Sequence, residues 1–134
     1  MKIKRIEVAF SDDRGSIADI FYKSNINHIG IIKNNSGSFI RGNHYHKFTT
    51  QHIYMTKGKL RYWYKPIGDN SKIESVIVSE GYLVTSEPNE VHSLEILGES
   101  EFIVFSEGPR GGEDYEKDTF RDKPILEEEM LTGE

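Results

Sequence analysis

The 134-residue chain contains no cysteine. That removes disulfides and thiolate chemistry, and it is compatible with a cytoplasmic setting, where the protein is expected to reside. There is no long apolar run and no apolar stretch at the N-terminus, so neither a membrane span nor a signal peptide is read from it. Positive charge is not in excess either: 17 Lys and Arg stand against 22 Asp and Glu, a net charge of −5. With no broad basic field, neither nucleic acid nor an anionic membrane is an expected partner. Internal repeats and low-complexity segments are lacking as well. The length suits a single domain with a sizeable core, read as residues 1–110, with an arm and short helix over 111–134 packed on it.

What is present is a succession of short segments rich in branched and aromatic residues. Residues 3–10 alternate, with Ile6, Val8 and Phe10 on one face, which predicts a half-buried strand. Further strands are predicted over 17–22, 29–33, 39–47, 51–56, 59–64, 73–79, 82–85, 91–97 and 102–106. Between them lie turn-forming stretches: residues 11–15 (SDDRG), 34–38, Lys57-Gly58, 66–71, Glu80-Gly81 and 87–90. Such spacing argues an all-β sandwich or barrel. Residues 108–118 (GPRGGEDYEKD) lack periodicity and read as a loop or arm, with Glu113, Asp114, Glu116 and Asp118 as a solvated charge run. Residues 123–131 are the one segment predicted helical, with Pro124 near its start.

The chemistry concentrates in residues 37–58, GSFIRGNHYHKFTTQHIYMTKG. His44 and His46 are at i and i+2, which on a strand turns both imidazoles to one side. Gln51 follows five residues later and Gly58 seven beyond it, while His92 lies eleven residues after Gly81. These residues resemble the two motifs of the cupin superfamily, G-x5-H-x-H-x3–4-E-x6-G and G-x5-P-x-G-x2-H-x3-N. The chain departs from them: Gln51 replaces the glutamate, the first glycine is one residue early, and Pro88 is one late. Asn89 stands in the place of a glycine and Ile96 in that of the asparagine. A second resemblance overlaps the first. Asp13-Arg14-Gly15-Ser16 with Arg41-Gly42-Asn43-His44-Tyr45-His46-Lys47 is similar to the DxRG…RGxHyQ pattern of dTDP-4-keto-6-deoxyhexose 3,5-epimerases. The RGNHYHK wording is closer still to the nucleotide-sugar 3,4-ketoisomerases. The resemblance implies a jelly-roll fold, a site in the barrel mouth, and a homodimer whose edge strands gain cover.

Two chemistries compete for the same nitrogens. His44, His46, Gln51 and His92 offer three nitrogens and an oxygen to a divalent zinc, iron, nickel or manganese ion. Alternatively they line a metal-free pocket, the arrangement the sugar-epimerase resemblance implies. There His44 is the first candidate base, with His46 beside it, since an unperturbed imidazole titrates near neutrality. Arg41 would stabilise a phosphate or an enolate, its plain alternative being a surface ion pair. By resemblance Arg14 contributes to substrate binding, though Asp13-Arg14-Gly15 equally reads as an ordinary turn. Tyr62 and Tyr64 share a face opposite Trp63 and are candidates for stacking on substrate, against the plain reading of core or dimer aromatics. His52 should point away from Gln51, to surface or interface, and His28 has no partner legible in the sequence. Tyr115 has no flanking motif to support it as a proton donor.

The expected function is isomerisation or epimerisation of a keto-deoxysugar nucleotide, for surface polysaccharide or glycoside synthesis, by proton transfer next to the keto group. A metal-dependent cupin enzyme, either a dioxygenase or a sugar isomerase, is one alternative. A non-catalytic small-molecule binder is the other.

Overall fold

The structure, a computed structural model, describes residues 1–68, 72–114 and 117–121. Within them the chain forms β1 (Lys2–Arg5), β2 (Phe10–Asp12), β3 (Gly15–Ile17), β4 (His28–Asn34), β5 (Ser38–His44) and β6 (Thr50–Lys57). There follow β7 (Lys59–Pro66), β8 (Glu74–Ser79), β9 (Tyr82–Ser86), β10 (Glu90–Leu97) and β11 (Ser100–Glu107). A 3-10 turn at Gly112–Asp114 is the one further element described. The predicted helix over 123–131 lies outside the described residues.

Two antiparallel sheets face each other, in the orders β1-β9-β6-β11-β4 and β5-β10-β7-β8. Alternation sends one side of every strand between them. Leu60, Tyr62, Leu94 and Ile96 from one sheet meet Ile53, Met55, Val84, Phe102 and Val104 from the other. Nine-tenths or more of each of these side chains is removed from solvent. Outward alternates such as Arg61, Lys33 and Glu101 make rim contacts instead. Gly58 joins β6 to β7 with φ +75°, and a Cβ there would lie 2.8 Å from the Glu99 carbonyl oxygen, so the turn admits little but glycine.

The N-terminus differs from its sequence reading. In place of one strand over 3–10, β1 ends at Arg5, where its pairing with β9 stops, and the chain leaves the sandwich. It then forms the separate hairpin β2–β3, whose Asp13-Arg14 turn matches the expected turn chemistry. Val8 is 57%, Phe10 55% and Ile17 59% exposed, so the alternating apolar face covers none of this chain's own core. The strand expected over 17–22 ends at Ile17 for the same reason.

The inner space grades from apolar to polar along the strands. At one end Phe39, Ile96 and Leu60 oppose Ile32, Phe102 and Met55. At the other, cross-strand pairing brings His92 beside His44 and Tyr64 on one sheet, and Gln51 beside Ser86 and Ser106 on the other. The polar end carries the site.

Candidate active site

A strand that alternates strictly could not present Arg41 and His44 to the same side, because residues three apart point to opposite faces. The chain solves this with one extra residue. Opposite β10, His92 pairs with His44 but Ser93 pairs with Gly42, leaving Asn43 unmatched as a β-bulge. Gly42 (φ +93°) and Asn43 (φ +59°) supply the left-handed backbone, and the Ser93 hydroxyl bonds to Asn43 Oδ1. A Cβ on Gly42 would stand 3.0 Å from the His92 carbonyl oxygen. Beyond the bulge Arg41 and His44 share the inner face, and Phe39 keeps its place below them.

His46 lies past the end of β5, where a bridge between Tyr45 and Phe120 keeps the chain extended. His44, His46 and His92 therefore converge: ring centroids are 4.9 Å apart for His44–His46, 4.6 Å for His44–His92 and 5.4 Å for His46–His92. One nitrogen of each lies within 4.8 Å of the others. Gln51 Oε1 is 3.3 Å from His46 Nε2. Asn89, where the cupin motif has glycine, adopts φ +65° and donates its amide to the His46 carbonyl at 2.7 Å. An αL position is what that glycine serves, and asparagine tolerates it.

A cavity of about 200 Å³ opens at this cluster, lined by His44, Gln51, His92, Arg41 and Arg110 above a floor of Ile53, Leu94, Phe102 and Val104. Two arginines and no carboxylate line it, in a chain whose net charge is negative. Arg41 is held by its Nε, which donates to Asn34 Oδ1 at 2.7 Å; Asn34 in turn donates to Ser100 Oγ at 3.0 Å. All three histidines are shifted toward the neutral form. Burial, with help from His46, Arg110 and Arg121, pushes His44 down to about 3. Burial and the two neighbouring imidazoles push His92 well below the usual range. His46 is lowered by burial too, but its bonds to the Asp118 backbone and to Gln51 oppose the shift.

Several residues sit elsewhere than the sequence reading had them. Tyr62 and Tyr64 do share a face, but Tyr62 is wholly buried and its hydroxyl bonds to Ser86 Oγ and to Glu90 Oε1 at 3.1 Å, leaving no surface for a substrate. Burial and the Glu90 carboxylate push its phenol well up. Tyr64 donates to Glu74 Oε2 at 2.9 Å and lines a separate groove with Pro66, Glu87 and Pro88. Arg14 lies on the exposed hairpin, forked onto Asp12 at 2.7 and 3.2 Å, and does not line the cavity. His52 does point away from Gln51, between Thr85 Oγ1 at 2.8 Å and Glu107 Oε2 at 3.0 Å. Tyr115 lies outside the described residues.

Two residues near the site were not singled out by their sequence. Arg110 follows the last strand in a glycine-rich stretch, reaching the cavity with Nη1 donating to Thr119 Oγ1 at 3.2 Å. Asp118, read as part of a solvated charge run, is 2% exposed and takes the Thr49 hydroxyl and three backbone amides. Burial alone would raise its carboxyl, but those donors together hold it below the usual carboxylate range. Neither residue sits in a periodic segment, so no sequence signal marked them.

No protein-family model and no curated protein sequence matches the chain. Solved structures do. A 3,4-ketoisomerase from Helicobacter canadensis is 20% identical with a TM-score of 0.73, over 90% of each chain. A sugar 3,4-ketoisomerase from Thermoanaerobacterium thermosaccharolyticum, in complex with TDP, is 15% identical with a TM-score of 0.73, over 91% of this chain and 88% of that one. A dTDP-4-dehydrorhamnose 3,5-epimerase from Sulfolobus tokodaii is 19% identical with a TM-score of 0.69, over 87% and 73%. At these identities the likeness is one of fold: the chain shares its two-sheet antiparallel sandwich with these structures.

Proposed function

We propose that this protein is an isomerase or epimerase of keto-deoxysugar nucleotides and works by proton transfer beside the ketone. The observation that carries the reading is the cavity itself: the imidazoles of His44 and His92, with His46 clustered against them, and two arginines surround one small space that no carboxylate lines. Removing a proton from the carbon next to a ketone needs a base and something to hold the enolate's charge. The histidines supply the first and Arg41 and Arg110 the second. His46 is better suited than His44, because its hydrogen bond to the Asp118 carbonyl opposes the lowering by burial and fixes its ring. Returning the proton to the adjacent carbon of the enediolate moves the keto group; returning it to the same carbon from the other face epimerises.

The substrate class rests on the neighbours in structure, one of which is described as bound to TDP-4-keto-6-deoxyglucose. A volume of about 200 Å³ is small against the roughly 300–1,000 Å³ usual for ligand pockets. It suits the sugar ring alone, with the nucleotide along the mouth. Incubation with TDP-4-keto-6-deoxyglucose in heavy water is expected to give a shifted keto group or an inverted centre, with solvent deuterium at the carbon affected. Nucleotide-sugar binding without any deuterium uptake would instead indicate a non-catalytic binder.

A metal is the second reading, favoured by the three-histidine geometry and by His92 Nδ1, which is buried without a hydrogen bond of normal geometry. The donor set fits a zinc, iron, nickel or manganese ion held by His44, His46 and His92, with Gln51 as a weaker neutral oxygen ligand. Such an ion would polarise the substrate carbonyl. On the proton-transfer reading, protein dialysed against chelator keeps its turnover. Turnover lost on chelation, restored by a divalent ion and tracking metal content that His92→Ala abolishes would favour the metal instead.

The protein is further read as a homodimer. Ile29 (65% exposed) and Ile31 (58%) line the outside of edge strand β4, and the β2–β3 hairpin leaves Phe10 and Ile17 uncovered. Exposed apolar surface of this kind is typical of an interface. Among the described residues no helix is long and apolar enough to cross a membrane.

A further inference from the structure

A network outside the cavity decides which nitrogen of His46 faces inward. The Asp118 carbonyl oxygen lies 2.6 Å from His46 Nδ1. A carbonyl can only accept, so Nδ1 carries the proton, and in the neutral ring Nε2 is left with a bare lone pair. The carbonyl is in turn held by its own residue's side chain. Asp118 Oδ1 accepts the Lys47 amide at 2.9 Å; Oδ2 accepts the amides of Phe48 at 2.9 Å and Thr49 at 2.8 Å and the Thr49 hydroxyl at 2.9 Å. Three consecutive amides converging on one acceptor form an anion-binding nest, filled here from within the chain. Two more contacts hold the segments together: Tyr45 and Phe120 exchange backbone hydrogen bonds at 3.0 Å, and their rings stack at 5.6 Å.

We infer that Asp118 is a positioning residue for His46. Its carboxylate pins the Lys47–Thr49 turn while its carbonyl accepts the hydrogen bond from Nδ1–H, so that the Nε2 lone pair is turned toward Gln51 and the His44–His92 cluster at the cavity's edge. This deepens the reading of His46 as the base and rests on it, although the tautomer itself is measurable without a substrate. A consequence falls on Gln51. Its Oε1 and a bare Nε2 are both acceptors, so the amide, whose oxygen and nitrogen exchange places by rotation, turns its nitrogen to the resting ring. Once Nε2 carries a proton, the amide oxygen can accept the hydrogen bond from Nε2–H. Glutamine thus partners both states of the ring, whereas a carboxylate, which only accepts, would favour the protonated state.

The test is nitrogen NMR of the histidine rings in the metal-free full chain, for wild type, Asp118→Ala and Asp118→Asn, with the His46 signals assigned from His46→Asn. Kinetics on the keto-sugar nucleotide are measured in parallel. Wild-type His46 is expected wholly as the Nδ1–H tautomer. Asp118→Ala should show a mixture with the Nε2–H form and lose about tenfold or more in kcat, with KM changed by no more than about threefold. Asp118→Asn, whose amide oxygen still accepts from Phe48 and Thr49, should keep the tautomer and come within about threefold of wild-type kcat. A wild-type His46 carrying its proton on Nε2 overturns the proposal, as does a folded Asp118→Ala that keeps the tautomer, whether or not kcat falls. Should Asp118→Ala fail to fold, the other two spectra decide: Nδ1–H in both supports the assignment, and Nε2–H in either overturns it. A wild type that turns over no keto-sugar nucleotide defeats the proposed function, while the tautomer still decides the role of Asp118.

Discussion

His46→Asn is expected to lower turnover by about 10²–10⁴-fold, the usual contribution of a positioned general base. It should leave the protein folded and KM little changed. Asparagine retains a donor for the Asp118 carbonyl, 2.6 Å from Nδ1 in the native protein, so the turn around residues 47–49 keeps its anchor. What disappears is the Nε2 lone pair among His44, Gln51 and His92. His44→Asn is the informative comparison. His44 is pushed down to about 3 by burial and neighbouring charge, a poor proton acceptor at neutral pH, and its loss should cost less in kcat. Steady-state rates of both variants, with deuterium uptake at the reacting carbon, check this. Equal losses at the two positions would remove the distinction between base and neighbour, and a fully active His46→Asn would exclude His46 as the base.

Acid should destabilise the metal-free protein well before its carboxylates titrate. His44 and His92 have folded pKa values depressed below the ordinary 6.5, so the unfolded chain binds more protons across that interval. Their contribution is complete above pH 6.5 and is lost as pH falls towards the folded values. For His44, lowering the pH from 7.5 to 5 removes about 1–2 kcal/mol, allowing for its incomplete burial. His92, 2% exposed, adds to the same loss. Glu90, raised chiefly by burial, opposes part of it, because protonation favours the folded state there. Against a typical stability of about 5–15 kcal/mol the net effect is large. Denaturant midpoints in chelator-treated protein at the two pH values measure it. A midpoint constant between pH 7.5 and 5 would show that the cluster is not held neutral, and His44→Asn should flatten the dependence.

The strands were legible because alternation is local. Residues 39–47, 51–56, 59–64 and 91–97 are rich in branched and aromatic side chains between turn residues, and β5, β6, β7 and β10 lie on them, β5 stopping short at His44. Alternation also misled: Ile6, Val8 and Phe10 form a sound apolar face, but whether a face is covered depends on what packs over it, and past Arg5 the chain pairs only with itself, in the β2–β3 hairpin that leaves Val8 and Phe10 exposed. Tyr62 shows the other side of this. It lies on the inner face as read, yet depth within the sandwich made it core.

By itself the sequence determined the repertoire of the site. His44 and His46 were legible from their i, i+2 spacing, and Gln51, His92 and Arg41 through the motifs that the chain resembles. The tertiary structure decided how that set is arranged. Only the pairing of β5 with β10 exposes the bulge at Asn43 that brings Arg41 and His44 to one face. Only the return of the chain after β11 carries Arg110 and Asp118, some 70 residues from His46, to the cavity and its supporting turn. A periodic pattern reports which way a side chain points on its own strand. It carries no information about a register shift against another strand, nor about an aperiodic segment whose place is fixed by hydrogen bonds formed after the sandwich has closed.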